Sequence, residues 1–425
     1  MPLALLSLPL PASAPELPAP QAPLKAEDPA SSDSAAAAAS SANRSLDTAV
    51  QELMRRGQVP GLAVAVIRGG RVVHSRAYGI AVPRSDVRSE RPLRTDSILY
   101  AASLTKATFA WMVMQLVQEG ALDLDASLPQ LLREPLPAYA AYADLAADER
   151  WRQITLRQLL SHSSGLPNWR VFMPGGRLEF SFAPGERYVY SGEGIQLAQL
   201  VVEERTGQPL TQLMQQRVFG PLGMQDTSLI WQDRFRDRVA MGFAADGSLR
   251  AQRMASRARA AGSMVTTLDD YARFMAAVLR REALSSAAHR QMLAPQIRIE
   301  SPRQFPSHWP GRTEVNQAIG LAAGLGWIVH RSPRGRVFFK EGNDDGTHNF
   351  ALGFADTGDG LVLLANSSRG ETIFYPLVEL LFSPSCLPWF WMGYMPYDRL
   401  ELLRPEHRER PLGPDRSCLE ALRDP

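Results

Sequence analysis

The sequence predicts an α/β (α+β) protein of two lobes, in which a sheet assembled from both ends of the chain adjoins a helical lobe inserted between them. Three observations predict it. Strand-like apolar runs occur early, at Gly61–Ile67 and Val72–Tyr78, and again late, at Gly326–His330, Arg336–Phe339, Asn349–Phe354 and Leu361–Ala365. Helical periodicity dominates from Leu104 to about Leu222. The 425 residues, 45% hydrophobic and 21% charged, supply enough apolar material for a core of that size. A functional site is expected in the cleft between the lobes.

In chain order, residues 3–10 form a short apolar stretch followed by Ala12-Ser13-Ala14, a pattern that signal peptidase cleaves. Residues 1–14 therefore read as a signal peptide truncated at its basic end, which implies a periplasmic or secreted protein; otherwise the chain is cytoplasmic. Residues 15–45, rich in Pro, Ala and Ser, read as a flexible tether. Leu46–Arg56 has helical periodicity, and the two early apolar runs, joined through Arg68-Gly69-Gly70, make a β-hairpin. Ser103 precedes a segment, Leu104–Met114, that is apolar nearly all round and marks a buried helix. Turn signals at Gly120, Gly165, Pro184-Gly185, Gly207 and Gly220-Pro221 punctuate the helical stretch. The late runs complete the sheet. The body, 46–385, thus divides into an α/β lobe (46–120 and 262–385) and a helical lobe (121–261). A tail, 386–425, follows, and its aromatic stretch Trp389-Phe390-Trp391-Met392-Gly393-Tyr394 is expected to pack on the body. No run approaches the ~20 apolar residues of a membrane-spanning helix.

Charge excludes further classes. Basic and acidic residues nearly balance, 46 against 44, for a net charge of +2 without a polybasic run, so no nucleic-acid or anionic-membrane partner is expected. Small-molecule chemistry is the leading expectation. The basic residues are almost all arginine: lysine occurs only at Lys25, Lys106 and Lys340, the first of them in the tether. Two lysines in an arginine-rich body point to places that need a compact amine able to lose its proton. Cys386 and Cys418 lie near the C-terminus with no CxxC or Cys/His cluster, so no metal is expected. In an exported protein they would pair and pin the tail; in the cytosol they would stay thiols.

Three local patterns carry chemistry. Ser103 and Lys106 share one face of the buried helix, with Ser103 at its N-terminal end, where backbone N–H groups and the dipole favour developing negative charge. Burial and a nearby cation would keep the lysine amine neutral enough to take the serine proton. Tyr190 sits at a turn before a helical run; near two lysines its phenol acidity would increase, which suits a general base towards the serine and an acid towards a leaving group. Lys340-Glu341-Gly342-Asn343 ends a strand, so Lys340 and Gly342 face one side and Glu341 the other. Gly342 would admit a substrate close to the backbone, and the N–H of Asn343 would join that of Ser103 as an oxyanion hole.

Thr95–Lys106, which contains Ser103-Leu104-Thr105-Lys106, resembles the catalytic segment of the serine β-lactamase-related family. That family comprises class C β-lactamases, penicillin-binding D-Ala-D-Ala peptidases, and related esterases and D-aminopeptidases. The likeness continues through Met114–Gly120, Ile154–Pro167, Phe219–Met224 and Ala261–Met264, and covers about residues 46–385. It implies a β-lactamase/transpeptidase-like fold, with an antiparallel sheet flanked by helices beside an all-helical lobe, and no metal or cofactor. It also implies acylation of Ser103 followed by hydrolysis, with Lys106 as general base partner, Tyr190 as motif tyrosine and Lys340 as the cation of K/H-x-G.

Two departures bear on substrate. The tyrosine motif of the family usually reads Y-x-N, and Gly192 stands at the Asn position, so the carboxamide that would bind a substrate acylamino group is missing. Either Glu193 partly substitutes for it or the substrate needs no such contact. Asp344 and Asp345 follow the third motif, either forming a turn or repelling a substrate carboxylate that Lys340 attracts. His162 and His348 are expected to be structural, and no G-x-S-x-G elbow occurs. Gly192 favours an esterase among the hydrolases; a D-Ala-D-Ala carboxypeptidase or class C-like β-lactamase is the alternative. The substrate would then be a small-molecule ester, an amide or a cell-wall peptide. A low-turnover protein that binds cell-wall fragments or a partner on the same fold is the competing class, and a pure binder has no need of a buried amine beside a serine.

Overall fold

The computed structural model describes residues 29–86, 88–251, 253–307, 311–399, 401, 413–414 and 416–423. The leader at 1–14 lies outside the described residues. Helix α1 runs Pro29–Gly57, so the second half of the expected tether is helical. The reason is local: proline is tolerated at a first helical position, and the run Ala35–Ala39 has the highest helix propensity of any residue type. Contacts divide the chain between Asp47 and Thr48, and the sheet and the candidate site belong to the second unit.

The early apolar runs form β1 (Gly61–Arg68) and β2 (Arg71–Val82), a hairpin turned by Gly69 and Gly70, both at positive φ. Short strand β3 is Arg91–Pro92. Later come β4 (Ile297–Arg298), β5 (Ala322–Ala323), β6 (Ile328–Ser332), β7 (Gly335–Asp344), β8 (Thr347–Phe354) and β9 (Asp359–Ala365). Among the described residues these nine make one sheet, ordered β3-β2-β1-β9-β8-β7-β6-β5-β4, with every pairing antiparallel. The first and last parts of the chain meet where β1 pairs with β9, from Leu62↔Ala365 to Ile67↔Gly360.

Longer helices are α2 (Leu104–Gln118), α3 (Gly192–Thr206), α4 (Leu268–Leu279), α5 (Ser286–Met292) and α6 (Glu371–Phe382). Every residue of α2 from Leu104 to Leu116 is buried. Its Trp111 meets Phe274 of α4 edge-on at 5.7 Å, and the aromatic contacts continue through Trp327 to Phe338 on the sheet. Alternation along β8 sends Phe350 and Phe354 to the opposite face, against Phe374 and Phe382 of α6 and Trp389 of the tail. The sheet is therefore covered on both faces.

Within residues 121–261, apart from α3, the helical segments are only three to six residues long. Prolines at 129, 135, 137, 167, 174, 184, 209 and 221 prevent longer ones. A two-residue strand pair, Gly242–Phe243 with Leu249–Arg250, also interrupts the region. Trp389, Trp391, Met392 and Tyr394 of the tail are buried, and Cys386 is bonded to Cys418. No helix among the described residues is long and apolar enough to cross a membrane.

Candidate active site

Ser103 immediately precedes α2 and already has helical angles, φ −72° and ψ −4°. Ala102 before it takes φ +46°, a conformation that residues with a side chain seldom adopt. One turn on, Lys106 is 1% exposed, and its Nζ donates to Ser103 Oγ at 3.0 Å and to the carbonyl of Ala261. Burial holds the Lys106 amine below a lysine's ordinary value, and the Lys340 cation pushes it the same way.

Tyr190 is fixed from below by His162. The His162 carbonyl accepts from Val189 N, its Nδ1 accepts from Ser191 N at 3.1 Å, and its ring stacks on the Tyr190 ring at 4.6 Å. Burial, followed by the two lysine cations, presses His162 well below its ordinary value, so the ring is neutral and structural, as expected. Ser191 then caps α3 by accepting from Gly194 N at 2.8 Å. Lys106 Nζ and Lys340 Nζ each stand 5.0 Å from the Tyr190 ring centre. Tyr190 thus stands between the two lysines, and Ser103 also acts on its phenol. Burial alone would raise this phenol; the two cations outweigh it and hold the phenol below its ordinary value.

Strand β7 delivers the third motif. Lys340 is 2% exposed, with Nζ 3.5 Å from the Glu341 carboxylate. Burial opposes its charge, yet Glu341 and Tyr190 prevail and raise it above the ordinary value. Gly342 has a different reason from the expected one. A Cβ there would lie 2.3 Å from the Ala101 carbonyl oxygen and 3.0 Å from Leu104 N, so the glycine lets β7 approach the head of α2 rather than admitting a substrate. Asn349 on β8 pins the same junction, its Nδ2 donating to the carbonyls of Tyr100 and Gly342, each at 2.9 Å. Asn343 and Ser103 line one cavity of about 510 Å³. The Asn343 carboxamide is tied to the Tyr394 hydroxyl, with Nδ2 donating at 2.7 Å and Oδ1 accepting at 3.0 Å.

The remaining predicted residues are also placed. A Cβ at Gly192 would lie 2.6 Å from the Trp169 indole and 2.8 Å from the Asn168 carbonyl, so the indole fills the space of the motif asparagine. Glu193 does not replace that carboxamide. Its two oxygens accept from Arg170 Nε and Nη2 at 3.0 and 2.9 Å. Asp344 and Asp345 are paired with Arg253 and Arg250, so neither presents an uncompensated charge to a substrate. His348 faces α6, with Nδ1 2.9 Å from Glu371 and its ring stacked on Tyr394. Trp169, Arg170, Asn349 and Tyr394 carry no motif signal; only the folded chain brings them to the site.

Comparison with known proteins follows the same lines. The family model described as Beta-lactamase matches residues 46–375. The esterase EstB of Burkholderia gladioli is 32% identical over 211 residues, 44% of this chain and 51% of that protein. The D-alanyl-D-alanine-carboxypeptidase/endopeptidase AmpH of Escherichia coli is 26% identical over 298 residues, 65% of this chain and 71% of that protein. The chain spans about half the length of the curated esterases it matches. Among solved structures, the D-alanine carboxypeptidase AmpC from Burkholderia cenocepacia superposes with a TM-score of 0.63 at 18% identity, covering 80% of this chain and all of that one, which supports the fold. With the family model extending over most of its length and the Ser103, Lys106, Tyr190 and Lys340 constellation on this scaffold, the chain belongs to the Beta-lactamase family.

Proposed function

We propose that this protein is a serine hydrolase that cleaves esters through an acyl-Ser103 intermediate. The observation that carries the reading is the 3.0 Å contact between Ser103 Oγ and a buried lysine amine whose proton affinity is depressed, at a helix N-terminus. The neutral Lys106 amine takes the Ser103 proton as Oγ bonds to the ester carbonyl carbon. The resulting oxyanion is met by the N–H groups of Ser103 and Asn343, and such a donor is typically worth about 10²–10³ in kcat. As the carbonyl–alkoxy bond breaks, the proton reaches the departing alcohol through the Tyr190 hydroxyl. Water, deprotonated by the same groups, then releases the acid.

Esters are favoured over acylamino substrates because Trp169 occupies the space beside Gly192. Ser103→Ala should abolish release of an aryl alcohol from an activated ester and leave the melting temperature nearly unchanged; release near the wild-type rate would remove Ser103 as nucleophile. D-Ala-D-Ala cleavage or β-lactam hydrolysis is the second reading, favoured by the likeness to AmpH. It prevails if kcat/KM for a D-Ala-D-Ala peptide or a cephalosporin exceeds that for the ester. Export belongs to this proposal and is supported by the Cys386–Cys418 bridge, which suits an oxidising compartment. Fractionation of cells expressing the chain should find it outside the cytoplasm, and retention inside would defeat this part.

A further inference from the structure

Trp169 and Phe172 line the Ser103 cavity and also a second cavity, of about 320 Å³. Its other walls include Pro167, Met173, Val189 and Phe305. Two polar groups on this wall are already engaged, since Asn168 Oδ1 accepts from Gly192 N at 3.1 Å and the Pro167 carbonyl accepts from Ser191 Oγ at 2.8 Å, and Ser181 and Ser307 add hydroxyls to the lining. The Phe305 ring packs edge-on against Tyr190 at 5.2 Å, so this apolar space adjoins the proton-transfer residues. Its rim is exposed to an unusual degree, with Phe172 68% and Phe305 43% accessible, and Val171 beside them 73%. Large apolar side chains left open around a cavity mark a binding surface.

Another part of the Ser103 cavity's lining differs in kind. It carries Arg253, paired with Asp344, together with Arg259. An ester has two halves, one on each side of its carbonyl, and the apolar and charged linings suit different halves. The departing alcohol suits the charged, hydrated wall. The half that stays bonded to Ser103 suits the apolar one, where burial strengthens its hold through both steps.

We propose that the Trp169–Phe172–Phe305 cavity is an acyl-chain pocket, and that the substrates are esters of apolar carboxylic acids larger than acetate. Gly192 is part of the same device, since its missing side chain lets the Trp169 indole form the shared wall. The proposal rests on the acyl-Ser103 reading. No step is added to that reaction; the pocket raises the rate at which Ser103 acylates by holding the acyl half.

Two series of esters test it on the full chain, one with aryl esters of acetate, butyrate, hexanoate and octanoate, the other with alkyl acetates of matching alcohol length. Full burial of a methylene corresponds to about fourfold in binding. In the acyl series kcat/KM should climb by about tenfold or more from acetate to hexanoate, while the alcohol series stays flat. Phe172→Ser and Phe305→Ser should each cut the hexanoate-to-acetate ratio by about tenfold. Phe172 is largely exposed, so its variant retains the fold, and circular dichroism checks this. A flat acyl series from an enzyme that turns over acetate overturns the pocket and leaves the acyl-Ser103 reading intact. A climb in the alcohol series instead also overturns it. Failure of the folded protein to cleave any ester would defeat the underlying reading.

Discussion

Two lysine amines flank one buried phenol at this site, and burial together with their mutual influence sets the protonation of the base. Lys340 keeps its charge because Glu341 is beside it, and burial first, with that charge adding to it, holds the Lys106 amine below the ordinary 10.5. The neutral base therefore forms at lower pH than for a free lysine, and acylation should rise through a midpoint below that value. Lys340→Gln removes a cation that lowers both Lys106 and Tyr190, so both move up and the ascending limb shifts to higher pH. A limb that stays in place or moves to lower pH in single-turnover measurements would contradict this arrangement. Residue 192 gives a second test. Asparagine there would collide with Trp169, and Gly192→Asn should cost about 1–3 kcal/mol in chemical denaturation, with Trp169→Ala restoring part of the loss. Ser103, Lys106 and Lys340 stood out in the sequence through helical spacing and the scarcity of lysine, whereas Tyr190 stood out only through the resemblance to the β-lactamase-related family. The occupant of the Gly192 space did not, since Trp169 reaches it across a loop that no periodicity describes.

At the scale of elements, the site depends on how closely β7 can approach the head of α2. Gly342 makes the approach possible and Asn349 holds it. Gly342→Ala puts a methyl group against fixed backbone rather than a flexible side chain, so the strand or the helix head must shift. Stability should fall by about 1–3 kcal/mol, and kcat should fall more than that loss of folded protein explains, because Ser103 begins the displaced segment. Wild-type kcat in this variant would show that the junction tolerates the shift. The hairpin and the late strands were readable from apolar runs bounded by glycines, and so was their union into one sheet. The early start of α1 and the fragmentation of 121–261 were less readable. An alanine-rich stretch reads equally as tether or helix, and closely spaced prolines cut a periodic pattern into turns.

Across the whole molecule, the C-terminal tail couples to the site at the other end of the sequence. Cys386 and Cys418, 32 positions apart, close a loop that contains Tyr394, and Tyr394 holds the Asn343 carboxamide beside the Ser103 cavity. Replacing Cys386 and Cys418 with serine should lower stability by about 2–4 kcal/mol. Tyr394→Phe should lower kcat with little change in KM, because the hydroxyl positions an oxyanion donor and does not touch the substrate; a change confined to KM would contradict that role. Sequence alone left the cysteine pairing open, since it depends on compartment as much as on spacing. The central claim is that Ser103 carries the acyl group, and intact mass spectrometry of the protein mixed with an activated aryl ester tests it most directly. Acid quenching during turnover should show a mass increase equal to the acyl group, located on the peptide containing Ser103 and absent from Ser103→Ala. An unmodified Ser103 in protein that is releasing product, or an adduct that survives in Ser103→Ala, would contradict the account.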